Sequence, residues 1–364
     1  MIEFKLPALG ADMDEATLLE WSVQPGDVVK KGQVVAVVDT TKAAVDVECW
    51  QEGTVAELLI QPGEKIPVGT PLATLLEAGE KTAPKKAGGT AAVTPERKAV
   101  SPAARKRAKE LGVDLAGVAG TGANGAVTLE DIERAATKVA PTDKAAEMRK
   151  AIAAAMSRSK REIPHYYLGE TIPMAKAMAW LEGENARRGM DERLLPAVLL
   201  LKAVARALKR YPEFNGFHRD GGFQPASAVH VGVAISLRQG GLIAPAILDA
   251  DAKSLTQLMH DLTDLVQRTR AGSLKSSEMS EPTITVTNLG DQGVDTVFGV
   301  IYPPQVALAG FGRIARRPME DDGQLTLLPS VVASLAADHR VSDGHRGALF
   351  LLELRELLQH PEEL

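Results

Sequence analysis

The chain has few cysteines and no long basic or apolar run, and each of these absences excludes a class of protein. Cys49 is the one cysteine among 364 residues, so an internal disulfide framework is excluded and a reducing compartment is indicated. The formal charge of −5, without an extended Lys/Arg block, gives no electrostatic reason to expect a nucleic-acid partner. The most apolar window begins at Leu194 and is interrupted by Lys202 and Arg206 before it could cross a bilayer. We expect a cytoplasmic protein with no membrane partner, since the first residues, MIEFKLP, are typical of a strand rather than of a signal peptide.

An internal repeat organises the N-terminal region. The segment TLLEWSVQPGD returns as TVAELLIQPGE 37 residues later, and Gly69 follows Gly32 at the same distance. The repeat predicts two similar half-sheets. Between them the apolar runs VVAVVD and AVDVEC predict two strands joined by residues 40–43 in a tight turn, which places Lys42 at the exposed tip of a hairpin. Cys49, in the second run, is expected to be buried and inert.

A lysine in the sequence DTTKA, between two QPG-containing halves, resembles the lipoyl domain of 2-oxo acid dehydrogenase complexes. The resemblance implies an all-β barrel over residues 1–78, with lipoate joined to Lys42 through an amide by a lipoate ligase or transferase. Biotin carriers share this fold but flank their lysine with methionines, and no methionine stands beside Lys42. The lipoyl family most often has an acid before the lysine, where this chain has Thr41. Without the repeat, an exposed lysine is usually only a solubilising charge.

Two segments poor in large apolar residues predict flexible linkers, at 79–98 and 138–147. An extended chain as long as the first segment reaches about 70 Å, far enough for the barrel to move between partners. Between the linkers, residues 99–137 predict a small helical module. Ser101-Pro102 is typical of the start of one helix, and Thr128, with an acid three residues later, of a capping box at the start of a second.

This module resembles the peripheral subunit-binding domain of the same complexes. The resemblance implies docking of the dihydrolipoamide dehydrogenase (E3) or of the thiamine-dependent 2-oxo acid decarboxylase (E1) through cationic residues, which here are Arg105, Lys106 and Arg107. Ala126 stands where an arginine is common, so the choice between E1 and E3 is open. The run GTGANG superficially resembles a dinucleotide loop, but it follows no strand of a βαβ unit.

Residues 148–364 combine helical and strand patterns and predict an α/β sandwich. Helices are expected over residues 148–160, 194–210 and 347–359, and after the cap Ser254. Strands are expected at IPHYYLGETI, AVHVGVAIS, GLIAPAIL, TITVT, PQVALAGFG and SVVASLAA.

Two segments of this region carry candidate chemistry. DHRVSDG places His339 and Asp343 between a strand and the last helix, and TITVTNLG ends another strand at Thr287. A neutral imidazole suits proton abstraction near neutral pH, although a lone histidine at the end of a strand is more often structural. The two segments together predict a catalytic site, and we assign no metal to it.

Together with IPHYYL, YPEFN and YPPQVALAGFG, these segments resemble the catalytic domain of the dihydrolipoamide acyltransferases (E2), which is related in fold to chloramphenicol acetyltransferase. The resemblance implies that His339 is the general base for the thiol of coenzyme A, that Thr287 faces the developing oxyanion, and that Asp343 organises the histidine loop. It also implies a homotrimer with active sites between subunits. The chain departs from the family at Ala337, where an aromatic residue is common, and at Ser342, where an aliphatic one is usual.

The hypothesis is therefore a multidomain acyltransferase of a complex such as pyruvate dehydrogenase, which moves an acyl group from lipoyl-Lys42 to coenzyme A. A silent scaffold that only tethers dihydrolipoamide dehydrogenase would use the same modules, but it has no need of both His339 and Thr287. The acyl group stays open: acetyl is the commonest choice, followed by branched-chain and succinyl groups. The C-terminal HPEEL has few apolar residues to anchor a cubic or larger shell, so assembly beyond the trimer is also open.

Overall fold

A computed structural model gives the fold of the chain. It describes residues 2–9, 13, 15–40, 44–76, 102–111, 120–122, 126–132, 144–237, 241–321 and 323–364. The chain divides into two compact units, residues 1–80 with 148–364 and residues 81–147. No helix in the described ranges combines the length and the apolar character that crossing a bilayer requires.

Among the described residues, eight short strands form the N-terminal barrel. They are Ile2–Lys5 (β1), Glu15–Trp21 (β2), Val28–Val29 (β3), Gln33–Asp39 (β4), Ala44–Cys49 (β5), Gly53–Leu58 (β6), Lys65–Pro67 (β7) and Pro71–Leu76 (β8). One half has the strand order β1-β8-β6-β3 and the other β5-β4-β2-β7. Alternate apolar side chains from both halves close one core, in which Leu18, Val38, Val47 and Leu72 have no exposed surface.

The sequence repeat is also a repeat of hydrogen bonds. The Gly26 N–H donates to the Val55 carbonyl over 2.7 Å, and the Gly63 N–H donates to the Leu18 carbonyl over 2.7 Å. Each donor and each acceptor is 37 residues from its counterpart. Both glycines have positive φ, +99° and +95°, a backbone conformation that side chains with a Cβ rarely adopt. The prediction of two similar half-sheets is confirmed.

The predicted hairpin is an antiparallel pair of β4 and β5, in which Asp39 opposite Ala44 is the last pair before the connection. Lys42 lies outside the described residues, so its place at the tip stays a prediction. Cys49 at the end of β5 is buried, as predicted, and burial raises the pKa of its thiol, which disfavours the reactive thiolate.

The helical module is described over its first helix, Pro102–Leu111 (α1), which begins at the predicted proline. The predicted capping box is present: the Asp131 carboxylate accepts from the Thr128 N–H over 3.0 Å, and the Thr128 hydroxyl accepts from the Asp131 N–H over 3.3 Å. The same carboxylate accepts from the Thr121 N–H over 2.8 Å. These donors hold the pKa of Asp131 well below its usual range. Residues 79–98, the first predicted linker, lie outside the described residues.

The C-terminal domain contains six further helices among the described residues: Lys144–Glu162 (α2), Ala175–Ala186 (α3), Pro196–Arg210 (α4), Leu255–Ala271 (α5), Ser276–Ser280 (α6) and Gly344–Gln359 (α7). Its strands are His165–Pro173 (β9), Gly216–Arg219 (β10), Gly222–Pro225 (β11), Val231–Val233 (β12), Ile235–Ser236 (β13), Leu242–Ile243 (β14), Ala246–Ile247 (β15), Ser273–Lys275 (β16), Ile284–Asn288 (β17), Ala307–Phe311 (β18), Ala315–Asp321 (β19) and Gln324–Asp338 (β20). Helix α5 begins at the predicted cap, where Ser254 and Gln257 form a capping box.

A mixed seven-stranded sheet is the centre of this domain, as the α/β prediction requires. Its order is β15-β12-β17-β18-β20-β19, and β9 also pairs with β20. The first half of β20 pairs with β19, and its second half lies between β18 and β9. The end of β20 is therefore held on both sides, which fixes the direction of the chain as it leaves the sheet at His339.

Several element boundaries differ from the prediction. AVHVGVAIS is two strands, because β12 pairs within the large sheet whereas β13 leaves it to pair with β14. The predicted helix at Met148 begins at Lys144, and the last helix begins at Gly344 because Asp343 caps it there. Strand β19 was not predicted, since it is a charged segment that contains Pro318, which is tolerated because β19 is an edge strand.

Candidate active site

His339 stands directly after β20 with its side chain exposed. Its backbone N–H donates to the Pro164 carbonyl over 3.0 Å. The preceding carboxylate, Asp338, is fully buried, and it accepts hydrogen bonds from the Arg340 guanidinium at 2.6–3.1 Å and from the Arg340 N–H at 2.9 Å. This ion pair closes the turn on both sides of the histidine and so fixes the backbone that presents His339.

Tyr166 on β9 packs against the histidine. The two rings meet edge to face, with centroids 5.2 Å apart and an interplanar angle of 68°. The Tyr166 hydroxyl shares a hydrogen bond of 2.9 Å with the Ser342 hydroxyl, and burial raises the pKa of the tyrosine, which keeps it protonated. Tyr166 also lies opposite Ala337 in the β9–β20 register. Both departures from the family pattern are therefore neighbours of Tyr166: Ser342 shares a hydrogen bond with its hydroxyl, and Ala337 is its partner on the adjacent strand.

Asp343 acts on the loop through the helix that follows. Its carboxylate accepts from the Arg346 N–H over 2.9 Å and caps α7, and this bond, with smaller contributions from His345 and His339, holds the pKa of Asp343 below its usual range. The Arg346 guanidinium donates to Glu213 over 2.5 Å and lies over the Tyr211 ring. The YPEFN segment thus anchors the start of the last helix.

Thr287 is at the exposed end of β17, on the same face as two buried threonines. The Thr283 hydroxyl donates to the Asn215 side-chain oxygen over 2.6 Å, and the Thr285 hydroxyl donates to that of Gln305 over 2.7 Å. Thr287 itself is only half-buried. The hydroxyls of Thr283 and Thr285 therefore hold the strand in place, whereas Thr287 lies at its accessible end.

The structure does not bring Thr287 and His339 together within one chain. Thr287 pairs with Gly310, which pairs with Ser334, four positions before Asp338 on β20. At standard strand spacing and rise, this register separates Thr287 from the end of β20 by roughly 15 Å. The two side chains cannot contact the same reacting carbonyl from one protomer.

Two adjoining cavities open near these strands, and both have Pro303, Pro304 and Gln305 in their walls. The first also contains Thr285 and apolar groups such as Leu242 and Tyr302. The second contains two arginines, Arg158 and Arg340, together with His218 and one carboxylate residue, Glu162. The pair could hold an elongated ligand with an apolar part and an anionic part.

The remaining predicted residues are on the barrel and the helical module. Lys42 is outside the described residues. On α1, Arg105 is exposed and Arg107 partly exposed, while the Lys106 side chain is outside the described part. The roles of Tyr166 and of the Asp338–Arg340 pair were not predicted from the sequence. For the pair a signal was present, since an acid that ends an apolar strand and precedes an arginine by two residues favours an ion pair across the turn.

Three family models match the chain in succession. One described as 2-oxoacid dehydrogenases acyltransferase (catalytic domain) matches residues 138–364. A biotin and lipoyl model, described as biotin-requiring enzyme, matches residues 2–75, and one described as e3 binding domain matches residues 99–133. These matches correspond to the three-part fold class expected from the sequence.

The chain is similar over its whole length to acetyltransferase components of pyruvate dehydrogenase complexes, and its C-terminal part is similar to solved acetyltransferase structures. It is 30% identical to the dihydrolipoyllysine-residue acetyltransferase component of pyruvate dehydrogenase complex from Staphylococcus aureus. The alignment is 432 positions long and covers 100% of this chain and 98% of the relative. A solved probable dihydrolipoamide acetyltransferase from Listeria monocytogenes has a TM-score of 0.56 at 28% identity, covering 58% of this chain and 92% of that one. The dihydrolipoamide acetyltransferase of Azotobacter vinelandii, whose structure was used to investigate a serine, a histidine and an asparagine in catalysis, has the same TM-score and identity and covers 58% and 88%.

Proposed function

The chain belongs to the 2-oxoacid dehydrogenase acyltransferase family, and from this membership we propose that it moves an acetyl group from a lipoyl thioester on Lys42 to the thiol of coenzyme A. It is an E2 component with lipoyl, E3-binding and catalytic domains. We assign these domains to residues 1–78, 99–137 and 148–364. The similarity to a pyruvate dehydrogenase component supports acetyl over branched-chain and succinyl groups.

The presentation of His339 carries this proposal. His339 is exposed and lies between Arg340 and the buried Asp338, whose ion pair fixes the turn, and a silent scaffold has no use for such an arrangement. An imidazole with a pKa near 6.5 is mostly neutral at pH 7, whereas a thiol with a pKa near 8.5 is mostly protonated and needs a base. His339 takes the thiol proton as the coenzyme A sulfur bonds to the acyl carbon. It then returns the proton to the departing sulfur.

Thr287 is the proposed donor to the carbonyl oxygen, on which negative charge gathers during the attack. One well-aimed donor of this kind lowers the barrier by about 3 kcal/mol. Because Thr287 and His339 are far apart on one chain, we propose that each site combines His339 of one protomer with Thr287 of a neighbour, in a homotrimer. The serine and histidine investigated in the A. vinelandii enzyme support this pairing of a hydroxyl with an imidazole.

Lys42 is the proposed attachment point for lipoate. It lies in the connection between β4 and β5, which are paired up to Asp39 and Ala44. A primary amine in a short connection between paired strands is suited to carry a cofactor through an amide bond. When bound, the lipoyl group supplies a thiol that carries the acyl group as a thioester.

The cavities beside β17 support coenzyme A as the acceptor. The basic cavity, with Arg158 and Arg340, matches the phosphates of coenzyme A, and the apolar cavity that shares its wall leads toward β17. Arg340 would then have two roles, because it also holds Asp338.

Membership of such a complex implies E1 and E3 as partners. We propose that Arg105, Lys106 and Arg107 contact the partner through charge-assisted hydrogen bonds. Ala126 lies in the loop of the same module, where the Gly122 N–H donates to its carbonyl over 2.9 Å. An alanine offers no cation there, so the α1 cations are expected to supply most of the electrostatic attraction.

The experiment that tests the function is acyl exchange by the purified protein between free dihydrolipoamide and acetyl-, isobutyryl- or succinyl-coenzyme A. We expect the highest kcat/KM with the acetyl donor and near-complete loss of transfer in His339→Ala. A preference for isobutyryl-coenzyme A would show that the transferred group is a branched-chain acyl group and not acetyl. Transfer by His339→Ala at the wild-type rate would contradict the mechanism.

A further inference from the structure

The three-residue strand β16 lies outside the seven-stranded sheet of the C-terminal domain. Within the described part of the chain its strand partner is β5 of the barrel, which it pairs in parallel with Leu274 opposite Val45 and Lys275 opposite Asp46. The other neighbour of β5 is β4, so without β16 the strand β5 would be an edge of its half-barrel. An unpaired edge exposes backbone donors and acceptors, and here each strand covers the free edge of the other.

A buried carboxylate reinforces this pairing further along β5. Glu48 is only 8% exposed, and its backbone N–H donates to the Ser276 hydroxyl over 3.0 Å. Its carboxylate accepts from the Ser277 hydroxyl over 2.5 Å and from the Ser277 N–H over 3.2 Å. Because these groups are buried, removal of the carboxylate would leave both Ser277 donors without their acceptor.

The catalytic-domain side of this contact is held by its own interactions. The Arg268 guanidinium donates two hydrogen bonds to Glu278, at 2.6 and 2.5 Å, and Glu278 also accepts from the Lys275 N–H over 2.9 Å. These bonds fix the turn between β16 and α6. Apolar contacts complete the surface, since Leu274 is fully buried and Met279 packs against the cores of both the barrel and the catalytic domain.

We propose that β16 and the first residues of α6 form a docking edge that holds β5 of the same chain's barrel on the acyltransferase domain. Strand addition gives affinity through main-chain hydrogen bonds, and the fit of Glu48 to Ser276 and Ser277 gives it register. The barrel is tethered and therefore present at high effective concentration, so a short contact is sufficient. The inference rests on the proposed function in one respect: β5 starts two residues after Lys42, so docking retains the carrier strand at the domain that consumes its acyl group.

Hydrogen exchange of the full-length protein, followed by mass spectrometry, tests this contact. In Glu48→Ala and in the double variant Ser276→Ala/Ser277→Ala, we expect amides in segments 44–49 and 273–277 to exchange about tenfold faster or more, because the docked state is lost. Segment 284–288 of β17 should exchange as in the wild type, which excludes unfolding of the domain. The matched control is Glu57→Ala, since Glu57 is an exposed glutamate on β6 of the other half-barrel. Unchanged exchange in segment 273–277 of both docking variants would overturn the proposal.

A cross-link provides a second measurement that does not depend on removing the contact. In the double variant Asp46→Cys/Lys275→Cys the two positions are opposite each other and should form a disulfide within one chain under mild oxidation. The control double variant Glu57→Cys/Lys275→Cys should not. Equal disulfide yields from the two double variants would contradict the proposed contact. Exchange between acetyl-coenzyme A and free dihydrolipoamide by the wild-type protein does not need the barrel. Failure of that reaction would refute the proposed function and leave the docking result intact.

Discussion

The Tyr166 hydroxyl lies 2.9 Å from the Ser342 hydroxyl, and this hydrogen bond connects β9 to the loop that follows His339. The ring that carries the hydroxyl also packs on the imidazole. We expect Tyr166→Phe and Ser342→Ala each to cost about 1 kcal/mol of stability and to lower kcat more than they change KM. The two changes should couple, so the double variant should lose less than the sum of the single losses. Thermal unfolding and steady-state kinetics of the four proteins measure this, and additive losses would show that the bond does not position the loop.

Complementation between subunits tests the separation of His339 from Thr287. Thr287→Ala should lower kcat by about 100-fold if its hydroxyl stabilises the oxyanion, and His339→Ala should be nearly inactive. Trimers that contain both variants should regain activity above either parent, because some sites then combine an intact His339 with an intact Thr287 from different protomers. Co-expression with two different affinity tags isolates these mixed trimers. If they are no more active than Thr287→Ala trimers, sites shared between protomers are ruled out.

Asp338 and Arg340 should stabilise the fold only when both are present. Asp338 has no exposed side-chain surface, so Arg340→Gln leaves a buried carboxylate without its cation and is expected to cost about 3 kcal/mol at pH 7. Asp338→Asn/Arg340→Gln removes both charges and should recover part of this loss. Chemical denaturation of the three proteins provides the comparison. An Arg340→Gln protein as stable as the wild type would mean that the turn is fixed by other contacts.

Asp343 should tolerate asparagine better than alanine. Asparagine is a good N-cap and can accept from the Arg346 N–H, whereas alanine cannot and should destabilise the start of α7. We expect Asp343→Asn to keep most of its transfer activity and Asp343→Ala to lose stability and activity together. A stable but inactive Asp343→Asn protein would instead indicate that the charge has a direct chemical role.

The helical module should lose stability in acid through Asp131. Because its pKa is held below the usual range, the carboxylate stabilises the folded module above the unfolded pKa of about 4, and this contribution is lost as the pH falls toward the lowered value. Asp131→Asn should be less stable at pH 7, and its stability should depend less on pH between about 5 and 2. NMR signals of the module in the full-length chain report both. Equal stability of the two proteins at pH 7 would contradict this account.

The features of the fold that depend on local sequence patterns could be predicted from the sequence. The helix cap at Ser254, the helix start at Pro102 and the paired half-sheets all follow from short segments or from a repeat, and all are present. The contact between Tyr166 and His339 could not be predicted in this way, because it depends on the pairing of β9 with β20 across more than a hundred residues. Strand β16 was missed for the same reason, since three residues carry no periodic pattern and the strand exists through its partner.

The equivalent hydrogen bonds of Gly26 and Gly63 show that the barrel contains the same local structure twice, once in each half. The same substitution can be introduced at either glycine, and in both cases a Cβ meets the same left-handed backbone and open space around it. Any difference in cost between Gly26→Ala and Gly63→Ala must then come from the wider surroundings of each half. Among the described residues, only the half that contains β5 is extended by a strand of the catalytic domain, so the comparison measures how a neighbouring domain affects one copy of a duplicated unit.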